Sequence, residues 1–135
     1  MEIEGDEFET VTWDSDTRIL ELVWTDASAG LTDQQFMDAL ARFARHAEDH
    51  RAPNVLIDVR RFLASPGSEV ASWRDENVIP VCNRGGVRRF AFLVPPGVPG
   101  TVESGGEAAP EPPGDFPTGY FETRDRILAW FAEPA

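Results

Sequence analysis

A mixed α/β fold, one β-sheet with an N-terminal hairpin and three to four helices packed on it, is the class this sequence predicts. Three observations lead to it. Two β-branched and aromatic runs, "FETVTW" (8–13) and "RILELVWT" (18–25), flank the turn-forming "DSD" and read as a hairpin. Further on, apolar runs with strand and helix periodicity alternate, giving the order β-β-α-β-α-β-loop-β-α. Strand–helix–strand units favour parallel pairing through right-handed crossovers, so the antiparallel hairpin makes the sheet mixed. A two-layer or incomplete three-layer sandwich follows, and 135 residues amount to a single domain, 1–135.

Each element has a local reason. In the second strand Leu20, Leu22 and Trp24 point one way and Ile19 and Val23 the other, as in a strand well inside a sheet. Thr32 and Gln35 have capping-box spacing, and Leu31 and Phe36 the spacing of a hydrophobic staple. Phe36, Leu40, Phe43, Ala44 and Ala47 then form one apolar helical stripe that Pro53 terminates. "NVLIDV" is a short buried strand. A helical region over about 65–83 contains Pro80, which removes a hydrogen bond, so a kink or two pieces are expected, with Gly85-Gly86 as C-cap. "RRFAFLVP" and "TGYFE" are strands, and a helix begins near Thr123. Residues 95–117 hold seven prolines and five glycines in 23 positions, a composition that predicts a mobile loop inserted in the domain.

Composition narrows the function. The net charge is −12, from 12 basic and 24 acidic residues, so a phosphate backbone is repelled and nucleic acid is a poor partner. Every basic residue is arginine, which excludes a Schiff-base or P-loop lysine. No run has the apolar length of a membrane span, and the acidic start lacks the order of a secretion signal, so cytoplasmic residence is expected. The one cysteine, Cys82, lies in apolar "NVIPVC" and reads as a buried inert thiol. No cofactor or metal is implied.

Chemical candidates are few. His46 and His50 share a helix face, but two ligands are too few for a zinc site, and the last helical turn suits them as cations at the dipole's C-terminal end. No G-x-S-x-G elbow is present, so catalysis, as a small hydrolase or isomerase using His46 or surface carboxylates, is the third-ranked expectation. Ser65 before Pro66, or Ser68 before Glu69, fits an N-cap. The same helix start beside Arg60 and Arg61, with Asp58 at the strand end, also suits an anion or a phosphoserine. Four Trp, nine Phe and one Tyr fill the core, or line an apolar pocket if the 95–117 segment leaves the sheet unsealed.

"RILELVW", "GLTDQQFMDAL", "NVLIDVRRF", the "W…NVIP…NRGGVRRFAFLVP" run and "GYFETRDRILAWF" together resemble the STAS-like superfamily. The likeness is to the small bacterial STAS/SEC14-type proteins and anti-sigma-factor antagonists. In antagonist members an Asp-Ser-Ser/Thr-Gly motif opens a helix, and a partner kinase phosphorylates its serine. Here Asp58 resembles the strand-end acid and "SPGS" takes the place of that motif. The resemblance implies a non-catalytic regulatory or binding domain. It would engage a protein partner through residues 60–70, with Asp58, Arg60, Arg61, Ser65 and Ser68 as binding or phosphoacceptor residues, or pair as a homodimer. The alternative is a carrier or sensor of an apolar small molecule in a sheet–helix pocket gated by residues 95–117.

Overall fold

The computed structural model describes residues 1–134. Seven strands make one sheet: β1 (Glu2–Gly5), β2 (Glu9–Asp14), β3 (Ile19–Trp24), β4 (Asn54–Asp58), β5 (Arg89–Leu93), β6 (Ala109–Pro110) and β7 (Pro117–Phe121). Their spatial order is β1-β2-β3-β4-β5-β7-β6. The four central strands β3, β4, β5 and β7 run parallel, and the edges are antiparallel. The helices are α1 (Asp33–Asp49), α2 (Glu69–Asn77), α3 (Ile79–Gly85) and α4 (Arg124–Phe131). The mixed α/β class is as expected.

Local chemistry sets these elements where the sequence placed them. The Asp14 carboxylate closes the β2–β3 hairpin by accepting the N–H of Asp16 at 2.9 Å and of Thr17 at 3.4 Å. At the start of α1 the Thr32 hydroxyl accepts the Gln35 N–H at 3.1 Å, and the Gln35 side chain accepts the Thr32 N–H at 2.9 Å. The helical region around Pro80 is two pieces that meet at Val78, with proline near the start of α3, where its missing N–H costs nothing. Gly86 ends α3 at φ 91°, a conformation open to glycine. A Cβ on Gly85 would lie 2.9 Å from the Glu48 Cα, so α3 packs on α1 almost backbone to backbone.

Successive parallel strands step across the sheet in one direction, so right-handed crossovers put α1, α2 and α3 on the same face. There Leu20, Leu22, Trp24, Val55, Ile57 and Phe90 meet Leu40, Phe43, Ala44, Ala47, Val78 and Cys82. On the other face Ile19, Leu56, Ala91, Leu93 and Phe121 meet only Ile127 and Phe131 of α4. The sandwich is therefore three-layered and incomplete.

Two local expectations need correction, and one strand was not anticipated. The acidic start forms β1, because Ile3 packs on the core and strand pairing with β2 overrides a polar local composition. Residues 95–117 are structured and anchored: Thr101 and Phe116 are buried, a 3-10 turn spans Val102–Ser104, and β6 pairs with β7. Composition counts apolar side chains, whereas this segment is held by turn hydrogen bonds such as Gly106 N–H to Thr101 C=O (2.8 Å) and by the Glu103 carboxylate. That carboxylate accepts from Glu122 N–H, Thr123 N–H and the Thr123 hydroxyl at 2.9–3.1 Å, capping α4 from outside its own chain segment. Finally, neither Ser65 nor Ser68 caps α2 with its side chain. Ser65 stands outside the helix, Ser68 precedes it without a capping bond, and the Asp33 carboxylate takes the Gly67 N–H at 3.2 Å instead.

Candidate functional site

The parallel strands deliver a set of rings to one place. Trp24 closes β3, Phe90 and Phe92 alternate along β5, and Tyr120 lies opposite Phe92 on β7. With period-2 alternation, all of these face the α1–α3 layer. The layer does not close over them, and a cavity of about 210 Å³ remains, walled on the helix side by Phe36, Leu40 and Phe43 of α1, Arg74 and Asp75 of α2, and Val78 and Ile79 at the α2–α3 break. The Glu111–Phe116 stretch supplies a further wall.

Two aromatic groups line it. Trp24, Phe36 and Phe62 contact one another at centroid distances of 5.0–5.5 Å, tilted by 36–59°. Phe92 stacks on Tyr120 at 5.3 Å and 10°, and Phe90 on Phe116 at 5.8 Å and 14°. Phe62 is aimed by buried Ser28, whose hydroxyl accepts the Leu63 N–H at 2.8 Å and donates to the Arg61 carbonyl at 3.3 Å. The polar contribution is small. Tyr120 donates its hydroxyl to the Glu111 carboxylate at 2.9 and 3.1 Å. Burial, reinforced by that carboxylate, pushes the Tyr120 hydroxyl up to about 12, so it is a donor and not a base near neutrality. Among the described residues the wall carries no cysteine, histidine or serine; its polar side chains are Arg74, Asp75, Glu111, Thr118 and Tyr120.

The residues singled out from sequence fall elsewhere. "VLIDVRRF" sorts by alternation: Ile57, Val59 and Phe62 go to the cavity, Asp58 and Arg60 to the opposite side of the sheet. Asp58 is buried and accepts three bonds from Arg60, through the backbone N–H, Nε and NH2, at 2.8–3.1 Å. Arg61 forks onto Asp26 at 2.7 and 3.1 Å. Both guanidinium groups are thus engaged by carboxylates of this chain, and Ser65 and Ser68 are exposed without joining them. Beside Asp58, Glu21 is buried in β3 and takes a two-pronged bond from Arg124 at 2.5 and 2.6 Å.

The histidines part company. His46 faces Glu4 at 3.4 Å, while His50 bonds the His46 carbonyl at 3.0 Å and packs on Trp13. Among the described residues no group of three His, Cys, Asp or Glu is placed to hold a metal ion. Cys82 is buried, and its burial pushes the thiol up to about 12. No helix among the described residues is long and apolar enough to cross a membrane.

Among the described residues, the fully buried side-chain atom left without a partner is an oxygen of Glu9. Glu9 itself is 1% exposed, and its other oxygen meets Arg42 at 3.2 Å. Burial, then neighbouring Asp6, raises its pKa above the ordinary 4.5 against the pull of Arg42. An acid with a raised folded-state pKa binds its proton more tightly when folded, so stability falls as pH rises through the window between the two values. Glu9→Gln removes that loss. The unfolding free energy of the variant relative to the parent should improve as pH rises above the ordinary carboxylate value, read by urea denaturation at each pH. A difference constant across the range would contradict the assignment.

The cavity residues that sequence reasoning missed are Phe62, Glu111, Thr118 and Tyr120. The available signal was the ring-bearing alternation of "RRFAFLVP" and "PTGYFE", which becomes a shared face once the two strands are known to be neighbours. No protein-family model, curated protein or solved structure matches the chain.

Proposed function

We propose that the chain is a cytoplasmic, STAS-like, non-catalytic binding domain, and that a small apolar molecule occupies its sheet–helix cavity. One observation supports this most directly: eight aromatic rings surround about 210 Å³ of space that side chains leave unfilled. The space opens to solvent on one side, so water wets its apolar wall, and a guest that displaces that water gains from the area taken out of contact with it. A mostly apolar wall with a few polar groups at the rim is the usual form of a small-molecule site.

The test uses two small hydrocarbons, toluene and hexane, with magnetisation transfer from protein to ligand as the readout. Transfer to at least one is expected in the parent and should be lost in Val59→Phe, which fills the cavity from a half-buried position. Transfer to neither, or transfer unaffected by the filling substitution, would overturn the reading.

A second reading, a regulatory module engaging a protein through residues 60–70, is favoured by Leu63. That side chain is 55% exposed on an irregular segment that also presents Ser65 and Ser68. It expects a homodimer or partner complex that Leu63→Glu dissociates in sedimentation. A parent monomer indistinguishable from the variant, alone and with the candidate partner, removes it.

A further inference from the structure

We infer that the cavity selects a neutral aromatic molecule of one or two rings carrying a single hydroxyl or ring N–H, the class of phenols, naphthols and indoles. This rests on the apolar-ligand reading above and narrows it by size, ring character and polarity.

Size comes first. A cavity of about 150 Å³ lined by aliphatic and aromatic side chains holds one benzene. The present 210 Å³ therefore takes one ring with a few added atoms, or a fused pair. A long acyl chain would have to protrude through its open side.

Ring character follows from the walls. Two stacked pairs, Phe92–Tyr120 and Phe90–Phe116, face a tilted trio, Trp24, Phe36 and Phe62. Such walls offer both ring faces and ring edges. An aromatic guest gains offset-stacked and edge-to-face contacts that a saturated ring of equal area does not, each worth about two- to tenfold in affinity.

Polarity is set by Thr118. It is buried at 7% exposure, lies opposite Phe90 in the β5–β7 register, and forms part of the wall. Its hydroxyl takes part in no side-chain hydrogen bond found among the described residues, and since the fully buried unpartnered side-chain oxygen there belongs to Glu9, the Thr118 hydroxyl stands open to the pocket, free both to donate and to accept. The neighbouring Tyr120 hydroxyl is already committed to Glu111. The rim carries Asp75 and Glu111, and its only cation, Arg74, lies 3.6 Å from Asp75. An anionic guest meets net repulsion there, whereas a neutral hydroxyl or N–H meets a waiting partner.

Calorimetric titration of the full chain with 2-naphthol, decahydro-2-naphthol, 2-methylnaphthalene and decanoate tests this, alongside toluene and hexane as the general apolar probes. We expect 2-naphthol to bind at least about tenfold tighter than its saturated counterpart. Thr118→Val should reduce 2-naphthol to the level of 2-methylnaphthalene, about a tenfold loss, while leaving 2-methylnaphthalene unchanged. Equal binding of the saturated alcohol, preference for decanoate, or an unaltered 2-naphthol affinity in Thr118→Val would each overturn the aromatic-alcohol class while leaving an apolar site in place. Failure of every probe, toluene and hexane included, would overturn both readings together.

Discussion

Truncating Trp24 to alanine is expected to lower the unfolding free energy by about 3–5 kcal/mol, the largest loss from any single side chain considered. Trp24 is 2% exposed and ends β3 where the sheet meets the aromatic cavity. It touches Phe36 of α1 and Phe62 of the segment after β4 at 5.5 and 5.0 Å, so its removal unpairs two elements at once. The site already borders unfilled space, which limits how far neighbours can collapse to repair it. Urea denaturation reads the effect, and a loss below about 1 kcal/mol would show that the indole is not part of the packed core. The same truncation enlarges the cavity and should admit a guest one ring larger than the parent accepts.

The second large effect concerns residues 96–114. Excising them, with a short glycine bridge, should cost at least about 3 kcal/mol. The excision removes buried Thr101, the β6 pairing and the Glu103 cap. Glu103 accepts three hydrogen bonds around the start of α4, two of them exposed, so each contributes only about 0.5 kcal/mol net and the set about 1.5 kcal/mol. Glu103→Ala alone should reproduce roughly half of the loss, because only the cap is gone. A denaturation midpoint unchanged by the excision would return the segment to the status of a passive insertion.

That segment marks the boundary of what was legible. Thr32 with Gln35, Pro80 and Gly86 act through hydrogen bonds and dihedrals within a few residues, so their spacing carries their role directly. Alternation likewise sorted Leu20, Leu22 and Trp24 from Ile19. The Glu103 cap joins residues about twenty apart, and β1 exists because β2 lies beside it; neither has a local signature. The candidate site was obscured for the same reason. Its rings come from β3, β5, β7, α1 and two irregular segments, and only the strand order brings them together. The local pattern at 58–68 pointed to an anion site, but Asp58 and Asp26 take up the two arginines, partners that a linear reading cannot assign.

The two margins of the sheet carry a consequence for association. At one, the four-residue β1 presents Glu2; at the other, β6 is two residues long and ends in Pro110, which has no amide hydrogen to offer. Short, acidic or proline-bearing borders discourage strand-by-strand polymerisation between neighbouring molecules. Crowded copies of this chain should therefore remain free of amyloid-like growth, and any pairing between them must use flat surfaces and not ladder extension.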